Sequence, residues 1–313
     1  MAGAKSAGYK LATYKSSDGP RAGIIVGNDV FDAAKLTGKA GYATVMGIMA
    51  DWKAAEPALK KAAARAAKSK AKRQPLAKTK LLAPLRFPSA IYCAGANYAD
   101  HAAEMAAKEG NPPPPDPHTL GHKAWHFLKA SGAITDPGAT VKISNYAKNM
   151  DWEIELAAVI GKTGKDIPQG KALSYVAGYT IANDLSARDF TKRPHVADTS
   201  PFKYDWLGQK NFDGACPLGP WIVPADTIAD SQNVAIKLSV NDVIKQDSHT
   251  SKMIFTLAEQ IAHLSTLITL QPGDLILTGT PAGVGLARKE FLRPGDVVKV
   301  WIEGIGTLTN TCA

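Results

Sequence analysis

Asp151-Trp-Glu-Ile-Glu-Leu-Ala-Ala-Val-Ile-Gly161 is the stretch on which the reading of this chain turns. Its apolar, β-branched run closing on a glycine predicts a buried β-strand. Two carboxylates, Glu153 and Glu155, stand at its start. Residues two apart on a strand project to one face, so both acids point the same way. Like charges repel, and a carboxylate entering an apolar sheet gives up hydration worth roughly several kcal/mol. A divalent cation would remove both costs. A solvated strand end is the alternative that the stretch alone leaves open.

Around this strand the chain reads as an ordinary globular protein. Its 313 residues are 45% hydrophobic and 21% charged, enough to bury a large core in one or two domains. No apolar run approaches a membrane span, and the N-terminus lacks a secretory signal. Three widely spaced cysteines, Cys93, Cys216 and Cys312, argue against a disulfide framework or a thiolate metal site, so a reducing cytoplasm is expected. The net charge of +9 is concentrated between Asp51 and Lys80, where ten Lys/Arg face two acids. A basic helix with no aromatic stacking platform is a solvated surface rather than a nucleic-acid site.

Residues 9–36 show three short strands separated by turn signals at Asp18-Gly19-Pro20 and Asn28-Asp29. Residues 43–73 are predicted helical, and 75–88 extended. A small N-terminal β/α domain over 1–80 and a larger domain over 81–313 follow. After the short strand Ala90–Gly95, the segment Ala96–Met105 turns into a helix that puts His101 and Glu104 on one face. A carboxylate there can fix the imidazole tautomer and raise its basicity, as a base for water requires. Four prolines at 112–115 follow, readable as a lid, a dimer-facing loop or a surface insertion. His118, His122 and His126 recur every four residues, but Pro117 and Gly121 work against a helical zinc face.

Tyr175–Asp184 is a second strand ending in a carboxylate, 29 residues after Glu155. Glu153, Glu155 and Asp184 together form a hard oxygen donor set suited to Mg²⁺, Mn²⁺ or Ca²⁺. Lys210 precedes an apolar run and can polarise a carbonyl or pair with a carboxylate. Val240-Asn-Asp-Val predicts a hairpin, and Met253–Leu270 an amphipathic helix. Leu275–Gly285 runs from a strand into a glycine-rich loop without the Gly-Lys-Ser/Thr of a phosphate loop. Its backbone N–H groups could hold a substrate carboxylate. Val297–Ile302 and Gly306–Thr311 close the chain as strands.

Five ordered motifs now stand together: Cys93-x-Gly-x-Asn-Tyr-x-x-His-x-x-Glu104, Glu153-x-Glu155-Leu, Asp184-x-x-x-Arg188-Asp189, Lys210-x-Phe-Asp and Leu277-Thr-Gly-Thr-Pro-x-Gly-Val-Gly285. Over about residues 88–310 they resemble the fumarylacetoacetate hydrolase superfamily. The resemblance implies a β-rich α+β fold, with a mixed β-sandwich and β-roll catalytic domain behind a small variable N-terminal domain, and a homodimer. It implies Glu153, Glu155 and Asp184 as ligands of Mg²⁺ or Mn²⁺, His101 and Glu104 as the water-activating dyad, and Lys210 facing the substrate. Tyr98, Arg188, Gly279 and Thr280 become substrate contacts. The expected activity is C–C hydrolysis of a β-diketone, acylpyruvate or related 2-oxo acid; decarboxylation or keto–enol isomerisation through the same enolate is the rival. The chain departs from the family at Ala96, where Arg or Leu is frequent, and at Thr191, where Gln is.

Overall fold

The computed structural model describes residues 8–66, 72–143 and 147–313. The central strand is Ile154–Ile160, buried at every position. It pairs antiparallel with Val176–Asn183 on one side and with Leu275–Leu277 on the other. Leu156, Ala158 and Ile160 face one apolar cluster, shared with Ile236, Leu238, Val298 and Val300. Ala157 and Val159 face another, shared with Trp52, Leu59, Leu275 and Leu277. Apolar residues at successive positions are therefore what a strand covered on both faces requires. Truncating Leu156 to Ala would cost about 2–5 kcal/mol.

The larger sheet runs from one edge to the other through Arg73–Pro75, Asp29–Asp32, Gly19–Val26, Lys10–Ser16, Cys216–Pro224, Val176–Asn183, Ile154–Ile160, Leu275–Leu277, Ile91–Ala94 and His126–Lys129. A second sheet, in the order Val243–His249, Ala235–Val240, Val297–Ile302, Gly306–Cys312 and Thr140–Val141, packs against it. The architecture is thus the expected β-rich α+β one. Asn241 and Asp242 both take positive φ, 50° and 64°, the geometry of the two-residue hairpin turn the sequence signals. Leu11 pairs with Ile222, so the N-terminal meander extends the large sheet and buries Leu11 and Ile24 against Ile222.

Several boundaries differ from expectation. The helix predicted over 43–73 is two helices, Val45–Ala50 and Trp52–Arg65, broken at Asp51. Arg73–Pro75 is an edge strand on Asp29–Phe31, and residues 67–71 of the basic run lie outside the described residues. Within the expected extended segment, Leu76–Lys78 forms a 3₁₀ turn. The helix expected over 253–270 spans Leu257–Leu267. Thr256 and Glu259 form a reciprocal capping box that fixes its start, a signal present in the sequence as Thr-x-x-Glu. Among the described residues, no helix is long and apolar enough to cross a membrane.

Candidate active site

The sheet pairing brings the acids together. Ile154 opposes Asn183 and Glu155 opposes Ala182, so Glu153, just before one strand, lies beside Asp184, just after the other. One oxygen from each of Glu153, Glu155 and Asp184 falls within 4.8 Å of the others, and all three residues are buried. A solvated strand end is therefore ruled out. Among the described residues no other such group of potential ligands is found. The three spaced histidines do not converge: His118 sits in a 3₁₀ turn, Gly121 breaks the run in the left-handed region, and His126 begins a strand.

Two buried lysines and the part-buried Arg188 serve these acids. Lys210 Nζ donates to Glu153 Oε2 at 2.9 Å and to Asp184 Oδ2 at 2.7 Å. Lys129 Nζ lies 2.6 Å from Asp184 Oδ1 and donates to the carbonyl of Lys210 at 2.5 Å. Arg188 bridges Asp151 Oδ2 at 2.8 Å and Glu153 Oε1 at 2.6 Å. Burial alone would discharge Lys210, but Asp184 and Glu153 outweigh it and hold the ammonium above the ordinary lysine range. Burial likewise opposes ionisation of Glu153, but Lys210 and Arg188 prevail and keep it well below the usual carboxylate range. Glu155 is the exception. Burial, then Asp184 and Glu153, push its carboxyl well above the usual range, and its recorded hydrogen bond comes from the neutral N–H of Gly279 at 2.6 Å. A buried, all-oxygen triad with one uncompensated member is what a hard divalent cation fits.

The helix Ala99–Lys108 buries none of its residues. It is held by polar ties instead: Glu104 accepts from Gly283 N–H with both oxygens at 3.0 Å, and Asp100 accepts from Ser248 Oγ at 2.7 Å. His101 Nδ1 lies 3.6 Å from Glu104 Oε2, close enough for an ion pair but too long for a hydrogen bond. The dyad thus stands on one helix face as its spacing predicts. The helix and the buried charges meet at a cavity of about 170 Å³ lined by His101, Glu153, Arg188, Lys210 and Thr280, with Trp125, Phe127 and Trp206 on its wall.

 The backbone of Thr280 is part of the loop that follows Leu275–Leu277, and its Oγ1 accepts from Gln246 Nε2 at 2.9 Å.

Two expected substrate contacts are placed otherwise. Tyr98 is fully buried in the core cluster rather than on the cavity wall, because it precedes the helix and its side chain turns inward. Three N–H groups of the glycine-rich loop are not free for a ligand carboxylate. The chain's own acids take them: Gly279 donates to Glu155, Gly283 to Glu104, and Gly285 to Asp151 at 2.6 Å. Arg188 does reach the cavity, with its guanidinium already paired to two acids.

Comparison with known proteins agrees with this geometry. Residues 90–313 match the family described as fumarylacetoacetate (FAA) hydrolase C-terminal. The chain belongs to the fumarylacetoacetate hydrolase family. It is similar to the mitochondrial oxaloacetate tautomerase Fahd2a of Rattus norvegicus, 41% identical over 238 residues that cover 75% of this chain and 70% of that protein. Among solved structures it is similar to maleylpyruvate hydrolase from Sphingobium sp. SYK-6 in complex with manganese(II) and pyruvate, with a TM-score of 0.73, 28% identity and coverage of 97% and 98%. It is also similar to 2-hydroxyhepta-2,4-diene-1,7-dioate isomerase from Mycobacterium marinum, with a TM-score of 0.71, 31% identity and coverage of 97% and 98%. Fumarylacetoacetate hydrolase relatives of this chain thus include a tautomerase, a hydrolase and an isomerase.

Sequence reasoning missed two charged residues that touch this cluster. Lys129 is fully enclosed and ion-paired to Asp184, yet its segment His126-Phe-Leu-Lys129 carries no motif that marks it. Asp151 lies inside the opening stretch, and its carboxylate gathers Trp152 N–H, Gly285 N–H, Leu286 N–H and Arg188. The Arg188-Asp189 pair was the available signal for a nearby acid.

Proposed function

We propose that this chain is a divalent-metal-dependent enzyme that cleaves a C–C bond in an acylpyruvate or related 2-oxo acid by hydrolysis. The observation that supports this most is the cavity where Glu153 of the buried triad, Lys210, and His101 of the His101–Glu104 pair meet. Glu153, Glu155 and Asp184 would hold Mg²⁺ or Mn²⁺, with Ca²⁺ the remaining oxygen-seeking choice. When bound, such a cation would polarise the 2-oxo carbonyl as a Lewis acid. His101, with the Glu104 carboxylate 3.6 Å from its Nδ1, takes a proton from water at its ring nitrogen, and that water attacks the carbonyl distal to the carboxylate. Cleavage leaves an enolate, and the Lys210 ammonium, held charged by Glu153 and Asp184, faces the developing negative charge. Closing of the Ala99–Lys108 helix by its ties to Gly283 and Ser248 would exclude bulk water. A homodimer is part of the same reading, supported by exposed Leu207 and Phe202.

A second reading has its own support. The 41% identity to an oxaloacetate tautomerase favours keto–enol isomerisation, in which the same base moves a proton between carbon and oxygen and no carbon–carbon bond breaks. Product analysis of a 2,4-dioxo acid in ¹⁸O-water with Mn²⁺ separates the two. Hydrolysis puts the label into the released acid, whereas tautomerisation leaves the carbon skeleton whole. His101→Ala and Glu104→Ala should each lower hydrolysis by about 10²–10⁴-fold. Normal hydrolysis by both variants would sink the dyad mechanism.

A further inference from the structure

The polar floor of the cavity is balanced by its own ion pairs, and its wall is aromatic. Trp125 and Trp206 meet edge to face at 4.9 Å, and Phe127 stacks on Trp206 at 5.8 Å. Lys210 Nζ lies 5.0 Å from the Phe127 ring centre, which ties this aromatic cluster to the reacting end of the cavity. Trp125 is fixed by its backbone, whose carbonyl accepts from Gly95 N–H at 3.1 Å, and its ring lies over Gly95 so closely that a Cβ there would collide with it. Yet Trp125 and Trp206 keep 47% and 39% of their surface exposed. Large rings so exposed, yet ordered against one another beside a polar cavity, offer flat apolar faces to a ligand.

The charges point the same way. Of the cavity-lining cations, Lys210 is paired with Glu153 and Asp184, and Arg188 with Asp151 and Glu153. Ala96 contributes only a methyl group to the lining. A second carboxylate on the far arm of a substrate would meet aromatic faces rather than an uncommitted cation, and would lose hydration without a partner. We infer that Trp125, Phe127 and Trp206 select a 2-oxo acid whose far arm is apolar and planar, an aryl or conjugated group, over one ending in a second carboxylate. This rests on the 2-oxo acid reading above and narrows it.

The test uses the full-length protein with Mn²⁺. The ratio of kcat/KM for benzoylpyruvate to that for acetylpyruvate, and to that for oxaloacetate, is measured for the wild type, Trp206→Ala, Trp125→Ala and Trp206→Phe. The wild type should favour the aryl arm. Either alanine variant should lower the aryl-to-methyl ratio about tenfold or more, mainly through KM, and Trp206→Phe should recover most of it. In parallel, benzoylformate, which has no α-hydrogen to lose, should quench tryptophan fluorescence in the wild type and much less in Trp206→Ala. A wild-type preference for oxaloacetate, an unchanged ratio, or a uniform loss accompanied by a change in mass by light scattering would overturn the inference, the last by making the rings a subunit contact. If no 2-oxo acid is turned over but benzoylformate still quenches through Trp206, the reaction reading fails and the aromatic site stands.

Discussion

Replacing Glu155 by Gln should separate the two roles of the triad, because it should raise stability without metal and weaken the stabilisation that metal supplies. Four buried acids, Asp151, Glu153, Glu155 and Asp184, face two buried lysines and the part-buried Arg188, and every pairing is used before Glu155 is reached. Its folded-state carboxyl is raised by burial and by Asp184 and Glu153. The folded chain therefore holds a proton that the unfolded chain releases above roughly pH 4.3. That contribution to stability is fully present below the unfolded value and is lost as pH climbs through the raised one. Without metal at neutral pH, wild-type protein carries a strained acid. Gln keeps a carbonyl to accept from Gly279 N–H and removes the group whose proton the unfolded chain releases. In EDTA, Glu155→Gln should be more stable than wild type by about 1–3 kcal/mol, the range for a buried polar group left unmatched, with the gap widening as pH rises.

With Mn²⁺ the balance should move towards wild type by about 2.2 kcal/mol or more. A ligand at 100 times its Kd stabilises the state it binds by about 2.7 kcal/mol, so wild type should gain that amount. The variant, short of one charged donor, should gain less than about 0.5 kcal/mol on the same scale. Urea unfolding curves for both proteins, with EDTA and with Mn²⁺, give all four numbers. A variant less stable than wild type in EDTA by more than about 1 kcal/mol would show that Glu155 is matched by the protein alone. Equal stabilisation of both by Mn²⁺ would remove Glu155 from the metal's ligands.

Other residues give independent checks. Lys129→Met leaves Asp184 Oδ1 and the Lys210 carbonyl without their buried partner, and should cost about 3–5 kcal/mol in the same unfolding assay; a loss under about 1 kcal/mol would show that the pair is dispensable. The proline segment carries a pH-sensitive tie, since His118 lies 2.8 Å from Asp116 Oδ1 and 3.0 Å from Glu259 Oε1. Its hydrogen bonds to Asp116 and then Glu259 raise the imidazole above its ordinary value. The tie is therefore fully present below about pH 6.5 and is lost as pH rises through the raised value. Cleavage of the 112–121 segment by a non-specific protease should thus match between wild type and His118→Gln at alkaline pH and be slower in wild type at mildly acidic pH. Equal rates at both pH values would show that the tie does not hold the segment.

What the sequence could and could not show follows from how far each contact reaches along the chain. Glu153 and Glu155 are two apart on a strand, and His101 and Glu104 three apart on a helix, so their shared faces follow from local geometry. Strand patterning placed Asp184 beside them because a buried antiparallel partner fixes its own register. The partners of those acids obey no local rule. Lys129 and Asp184 are separated by 55 positions, and Glu104 and Gly283 by 179. The glycine-rich loop is the clearest case. Its sequence promises a cradle of N–H donors for a ligand, yet folding supplies acids from three earlier segments, Asp151, Glu155 and Glu104, that take those donors first. The loop is thus a strut that aligns the strand carboxylates with the helix carrying the dyad. Removing the Glu104 carboxylate would release one tie of that helix, while Asp100 on Ser248 and the triad stay in place.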